Sequence, residues 1–540
     1  MSVGTPPGPA RAAQHLGRLG QAVVLAALGA GMVFWWATLR STAAARLAVL
    51  RTIEPYALAV HEQLVRNRAF EGAWFQTVHA GYDDAWTWSG HRALTLIGAT
   101  WLYPLEPSAL GLCGLQILAT ALGTIPAALI GRAVFRDGPL GPQLGATVGL
   151  LVGGAIYLLS PPAMAIALQD YQDLVFALPF LTFTLWTMRA GHPAWPLLGA
   201  AVGVMPREET VPLVLVCALV TLPPAGRRRH AWNLLASVIV AGGYALAAQL
   251  LHPIETAPGA GDGHDTPLVN ALRTVLAARG VEDLPGLAHI PDFYALVWAP
   301  IGLLALASPL TLLPGAGLIL MHMTVPYNNG VDHFWSGHAH HLAPALPFVL
   351  VATIEGLGRL VALAGRLRPG GRPVGAALAT LATAALLAHA ASWTWAWGSG
   401  FHLTWTWRPW TPPYEHPAWT LARRLPADAV PVVSVRHAVI VSDRRRSYTW
   451  EESLHDKAQG RGLGAATHLI APERLREVTA WALSMEGAAI VDEADGYVTI
   501  AWTPGARDPA GKRREDAWPQ VPDWVPPGYT MDSLPGVPRR

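Results

Sequence analysis

The sequence predicts an α-helical polytopic membrane protein of about eleven transmembrane helices followed by a small α/β domain, and three observations carry that prediction. Of 540 residues, 52% are hydrophobic and only 14% charged, where soluble domains carry roughly a quarter charged residues. Apolar runs of near-spanning length recur along the chain, with four groups of arginines that their alternation puts on one face. Beyond about Trp405 the long runs stop and short strand-like runs take over.

The first run, 20–39, follows Arg11 and Arg18 and precedes three alanines at 43–45, a pattern that a signal peptide could also show. Its length exceeds the ~7–15 residues of a usual signal core, which favours an uncleaved first transmembrane helix. Further runs lie near 109–131, 142–160, 173–188, 194–205, 210–223, 231–251, 293–306, 308–324, 342–363 and 374–395. Several fall short of the ~20 residues that a straight span needs.

Arg132 and Arg136, the triplet Arg227, Arg228 and Arg229, and Arg359, Arg366, Arg368 and Arg372 all fall on the side of Arg11 and Arg18. The positive-inside rule makes that side cytoplasmic. The expected division is therefore a cytoplasmic N-terminus (1–19), a transmembrane domain (20–395) with a large first outer loop at about 40–108, an extracytoplasmic α/β domain (396–503) and a Pro/Gly-rich tail (504–540). Within the α/β domain, 430–435, 439–442, 468–471 and 497–502 read as strands and 474–485 as a helix.

Composition also excludes some functions. A formal charge of +2 supplies no field to recruit nucleic acid. Cys113 and Cys217 lie inside apolar runs, so neither a disulfide framework nor a cysteine metal site is available. The glycine-rich tract at 259–264 lacks the lysine of a phosphate loop, and no serine sits in a nucleophile-elbow pattern.

The polar groups gather in the outward loops. GYDDAWTWSGH, residues 81–91, brings Asp83, Asp84 and His91 together among aromatic residues, in the same loop as Glu54, His61, Glu62 and Glu71. Partly buried carboxylates of this kind serve as general bases, and the adjacent pair Asp83 and Asp84 could hold a divalent cation. The plainer alternative is a solvated turn anchored by interfacial tryptophan and tyrosine. Arg207, Glu208 and Glu209 interrupt two apolar segments, and charges near membrane depth either pair with one another or line a pathway. His333, His338, His340 and His341 precede another apolar run; they could meet zinc or a phosphate, or bond a loop backbone.

Several of these stretches occur in a known order. YALAVHEQ at 56–63 resembles a Y-D-x-G-x-F-D-Q motif, and His91-Arg92-Ala93-Leu94 an H-F-S-P stretch. Asp170-Tyr171-Gln172 before Pro179, Arg207-Glu208-Glu209, and His340-His341 with Pro344, Pro347 and Phe348 resemble three further segments. Together they resemble a family of bacterial multi-pass membrane proteins in the GT-C glycosyltransferase superfamily, over most of the chain from the first span to about residue 502.

The resemblance implies a GT-C fold and transfer of a sugar from a polyprenyl-phosphate donor on the outer face of the inner membrane. It implies a first-loop carboxylate as general base and cationic groups steadying the leaving phosphate. Ala57 stands at the family's first aspartate, Glu62 at its second, and Gln172 where histidine is frequent. The base is then Glu62, or Asp83 or Asp84, with Glu54 a further substitute. Arg207 would meet donor phosphate, oriented by Glu208 and Glu209, with His91, His340 and His341 around the same cavity. The partners implied are a polyprenyl-phosphate-linked sugar and the bilayer, with no cofactor beyond the divalent cation. The rival expectation is a non-enzymatic transporter or envelope-assembly scaffold, which paired helix breaks in two halves of the chain would favour.

Overall fold

The computed structural model describes residues 9–50, 55–74, 77–78, 93–190, 192–221, 226–251, 277, 303–324, 339–366, 415–450, 466–485 and 487–503. The helices among them are α1 (Pro9–Ala48), α2 (Pro55–Glu71), α3 (Thr95–Leu102), α4 (Ala109–Leu122), α5 (Thr124–Arg136), α6 (Pro142–Leu158), α7 (Pro161–Ala167), α8 (Ala177–Thr187), α9 (Trp195–Gly203), α10 (Thr210–Val220), α11 (Arg227–Leu251), α12 (Pro309–Thr324), α13 (Leu346–Arg366), α14 (Pro417–Arg424) and α15 (Arg476–Leu483). Four stretches, Gly17–Ala48, Ala109–Arg136, Arg227–Ala247 and Leu346–Leu363, are long and apolar enough to cross a membrane. Shorter apolar helices, Pro142–Leu158, Asp173–Thr187, Thr210–Val220 and Pro309–Met321, pack among them. The expected run at 374–395 and most of 293–306 lie outside the described residues, as does the tail.

α1 extends past the expected 20–39 because the following residues, rich in alanine, arginine and leucine, are strong helix formers. It ends at Ala48, and two residues on Leu50 takes a positive φ of 53°. Leu19, Val23, Leu25, Val33 and Phe34 point away from the protein core, an apolar face suited to lipid rather than water.

The tightest helix pair is α5 against α6. A Cβ at Gly149 would meet the Gly131 carbonyl oxygen at 2.2 Å, and one at Gly131 would meet the Gly149 carbonyl at 2.1 Å. Glycine lets the two backbones touch, the small-residue packing that replaces the hydrophobic effect inside a bilayer.

The C-terminal residues form a five-stranded sheet in the order β2-β1-β3-β5-β4, from β1 (Pro431–Val433), β2 (Tyr448–Thr449), β3 (His468–Pro472), β4 (Ala489–Ala494) and β5 (Tyr497–Ala501). β2, β1 and β3 run parallel, while β5 is antiparallel to both β3 and β4. The run 439–442, expected as a strand, is different. It closes the 3-10 turn Val435–Ile440 and the bend after it, because Val439, Ile440 and Val441 bury themselves in the core that holds α2 instead of pairing in the sheet.

That core also takes in α1, α4 and α14, so the sheet is fastened to the start of the chain. His416 donates its backbone N–H to the Ala48 carbonyl (2.8 Å), and Trp419 donates its indole N–H to the Leu47 carbonyl (2.9 Å). α2 clasps the segment 442–449: Gln63 donates to the Arg444 carbonyl (3.2 Å) and to Ser447 Oγ (3.1 Å), and Asn67 donates to the Arg445 carbonyl (3.1 Å). Thr77 donates to the Ser447 carbonyl at 2.8 Å and completes the clasp.

Candidate active site

α2 carries the first candidate groups. Adjacent residues on a helix point about 100° apart, so His61 and Glu62 face different neighbours. The His61 Nδ1 lies 2.7 Å from the Ala57 carbonyl, and its ring meets Tyr171 edge-on at 5.5 Å between centroids. Glu62 is 2% exposed. Tyr103 donates its hydroxyl to Oε1 at 3.1 Å, and Ser442 donates to Oε2 from across the clasp. Burial, reinforced by the neighbouring Asp443 charge, pushes the Glu62 carboxyl up to about 8 against the pull of those two hydrogen bonds. Burial and then the Glu62 charge raise the Tyr103 phenol as well.

The second group of residues lies on the connection between α7 and α8. Gln116, fully buried on α4, donates to the carbonyls of Ala167 (3.3 Å) and Gln169 (2.8 Å) and accepts from the Gln172 N–H (2.8 Å). Arg46 at the end of α1 donates to the Leu168 carbonyl (2.6 Å) and lies 3.8 Å from the Asp170 carboxylate. This irregular segment is thus held by side chains where helix hydrogen bonds are missing.

Arg207 meets the same connection. Its Nη2 lies 2.8 Å from Asp173 Oδ1, and both residues are buried. Its backbone carbonyl accepts from Thr210 Oγ1 (2.7 Å), and two residues earlier the Met205 carbonyl accepts from the Thr95 N–H (3.2 Å). The break between α9 and α10 is therefore fastened to the start of α3. Several buried atoms here have no hydrogen-bond partner among the described residues: the Tyr171 hydroxyl, Asp173 Oδ2, Arg207 Nε and both polar atoms of the Gln169 side chain. Burial first, then the Asp173 charge, raises the Tyr171 phenol. Unmet polar atoms this deep are costly, and sites that receive a ligand are where such a cost persists.

The expected residues sort as follows. Glu62 and Arg207 are both buried, but Arg207 joins Asp173 whereas Glu62 faces Tyr103 and Ser442, and it is His61 on α2 that meets Tyr171. Glu208 and Glu209 are half-buried at the start of α10. His340 and His341 lie on a 3-10 turn, Ala339–Leu342, packed against α7 and against the turn that opens with Asp173. Asp83, Asp84 and His91 lie outside the described residues. Among the described residues no three His, Cys, Asp or Glu side chains are grouped to hold a metal.

Arg207 finds its ion-pair partner in Asp173, 34 positions back along the chain, at the head of the apolar run 173–188. Gln116, Arg46 and Ser442 are likewise additions from the structure, while Asp170 and Tyr171 were visible only as part of a family-like segment. The visible signal was QDYQD itself, two acids directly ahead of an apolar helix.

Known proteins resemble this chain in two ways. In the solved structures, ArnT from Cupriavidus metallidurans bound to undecaprenyl phosphate superposes with a TM-score of 0.51 at 12% identity, over 89% of this chain and 98% of that one. The same protein in its apo state gives 0.51 at 14% identity, over 91% and 98%. The apo oligosaccharyltransferase of Archaeoglobus fulgidus reaches a TM-score of only 0.37 at 12% identity, over 83% and 71%, too low to support an argument. ArnT belongs to the GT-C glycosyltransferase superfamily, and at this identity the likeness is one of fold. No curated protein sequence matches. In sequence, the family model described as "Predicted membrane protein (DUF2079)" matches residues 46–396, well over half of the chain. The chain belongs to that DUF2079 family of membrane proteins.

Proposed function

We propose that this protein is a GT-C type glycosyltransferase that takes a sugar from a polyprenyl-phosphate donor on the outer face of the inner membrane. The observation that carries the reading is the buried polar cluster of Arg207, Asp173 and Tyr171, in a fold whose solved example holds undecaprenyl phosphate. The chain then crosses the membrane about eleven times. Its arginine-bearing connections and residues 1–19 face the cytoplasm, and the α/β domain at 396–503 and the tail at 504–540 lie outside.

In this scheme an acceptor hydroxyl attacks the anomeric carbon, the carbon–oxygen bond to phosphate breaks, and polyprenyl phosphate leaves with the bonding electrons. A first-loop carboxylate takes the acceptor's proton. Glu62 fits this role through a pKa near the working pH, where a base is both ionised and strong enough. Asp83 or Asp84 could fill it instead, with a divalent cation at that pair. Arg207, with Glu208, Glu209, His91, His340 and His341, lines the donor cavity.

One observation favours a second reading, a non-enzymatic transporter or envelope scaffold on the same fold. Ala57 occupies the family's first acidic position, and Glu62 is enclosed by Tyr103 and Ser442. The test is transfer of radiolabelled sugar from polyprenyl-phosphate hexose, pentose and amino-sugar donors by the purified protein in liposomes. The enzyme reading predicts release of free polyprenyl phosphate, abolished in Arg207→Gln. Release equal to protein-free liposomes for every donor would leave the scaffold.

A further inference from the structure

We infer that Tyr171, Asp173 and Arg207 form a subsite that reads the hydroxyl groups of the sugar rather than the donor's phosphate. This rests on the proposed function above and names what that site recognises. The charge balance comes first. Arg207 is ion-paired to Asp173 at 2.8 Å, and Arg46 lies 3.8 Å from Asp170, so the basic groups here are matched by acids. A phosphate arriving at Arg207 would also meet the Asp173 carboxylate, and like charges in a buried place repel.

The unmet atoms give the second argument. A phosphate needs donors only. The atoms without partners are instead mixed: Asp173 Oδ2 is an acceptor, Arg207 Nε a donor, and the Tyr171 hydroxyl can do either. Gln169, in the same segment, leaves both an amide donor and an acceptor unmet. A sugar hydroxyl both donates and accepts, so neighbouring hydroxyls on a ring satisfy such a mixture where a phosphate oxygen would not. Tyr171 and Asp173 are 0% exposed, so bulk water does not meet these atoms.

Geometry supports the same assignment. Gln116 and Arg46 hold the backbone of 167–172 without using the Tyr171 hydroxyl or Asp173 Oδ2. The Tyr171 ring is set by His61 at 5.5 Å and Phe176 at 5.9 Å, so its hydroxyl is aimed in advance.

The experiment compares purified wild type, Tyr171→Phe and Asp173→Asn for binding to bare undecaprenyl phosphate and to undecaprenyl phosphate carrying a hexose, a pentose or an amino sugar. Tyr171→Phe removes only an oxygen that has no partner, so its fold is preserved, whereas Asp173→Asn is read only where its melting temperature matches wild type. At least one glycosylated lipid should bind wild type more tightly than the bare lipid. Tyr171→Phe should bind that lipid about five- to ten-fold more weakly, the value of one buried hydrogen bond, with bare-lipid affinity unchanged within two-fold. Equal losses on both lipids, or no sugar in the set improving on the bare lipid, would overturn the inference while leaving a lipid-phosphate site in place. Failure of wild type to bind any of the four lipids would overturn the proposed function with it.

Discussion

Glu62→Gln tests the buried carboxyl through stability and chemistry at once. The folded protein holds the Glu62 proton up to about pH 8, against 4.5 for the ordinary group. Because folding raises the pKa, the associated stabilisation is complete below pH 4.5 and is lost as pH rises through 8. At ~1.4 kcal/mol per pH unit the whole limb amounts to ~5 kcal/mol. Glutamine keeps one acceptor oxygen, turns an N–H to the other hydroxyl, whose oxygen can accept it, and does not titrate. In scanning fluorimetry of detergent-solubilised protein, the two proteins should melt together near pH 5. By pH 9 the variant should be the more stable by a few degrees. If Glu62 is the base, wild-type transfer should rise along the same limb, with its midpoint near pH 8, and vanish in the variant. A melting difference that is the same at pH 5 and pH 9 would refute the argument for a neutral, buried Glu62.

Three further outcomes follow from the packing. Gly149→Ala should cost roughly 1–3 kcal/mol, because its methyl would meet the Gly131 carbonyl, while Gly29→Ala, with nothing within 4 Å, should melt like wild type. Gln116→Leu strands the Gln172 N–H and two carbonyls at about 1–3 kcal/mol each, and should weaken binding of glycosylated lipid as well as lowering the melting temperature; a fall in melting temperature alone would limit Gln116 to a structural part. Trp101 and Leu105, 81% and 82% exposed just ahead of α4, fit the headgroup level of a bilayer. A spin label at Leu105→Cys should then be relaxed by oxygen far more than by a water-soluble nickel complex, and the reverse would place this turn in water.

What the sequence revealed and what it hid follow from the range of the forces involved. The break at Arg207 was legible because charge stands out within apolar runs, the β5 strand because β-branched and aromatic residues cluster there, and β3 as a short apolar run. The partner of Arg207 was not, since Asp173 and Arg207 meet only once α8 and α9 fold back on each other. The 439–442 run shows how an apolar string can mislead: burial was read correctly, but α2 supplies it rather than a neighbouring strand. β4 escaped notice because it is an edge strand with Asp492 and Glu493 and little buried surface, so it lacks a strand's alternation. Glu62 was legible as an acid in the right place. Its enclosure was not, because Ser442 lies 380 residues away.

That separation bears on how the protein is made. When α2 emerges from the ribosome, the segment that completes the surroundings of Glu62 has not been synthesised, and nearly the whole membrane domain must be inserted first. Until residues 442–449 arrive, the side-chain amides of Gln63 and Asn67 lack the acceptors that this segment supplies, although Gln63 Oε1 can already accept from the Thr77 and Val78 N–H groups. The clasp is a contact of very high sequence separation, which forms late and slowly. A chain cut short before Ser442 would present an open α2 to proteases, so the cell can tell a finished copy from an unfinished one by whether this helix is covered.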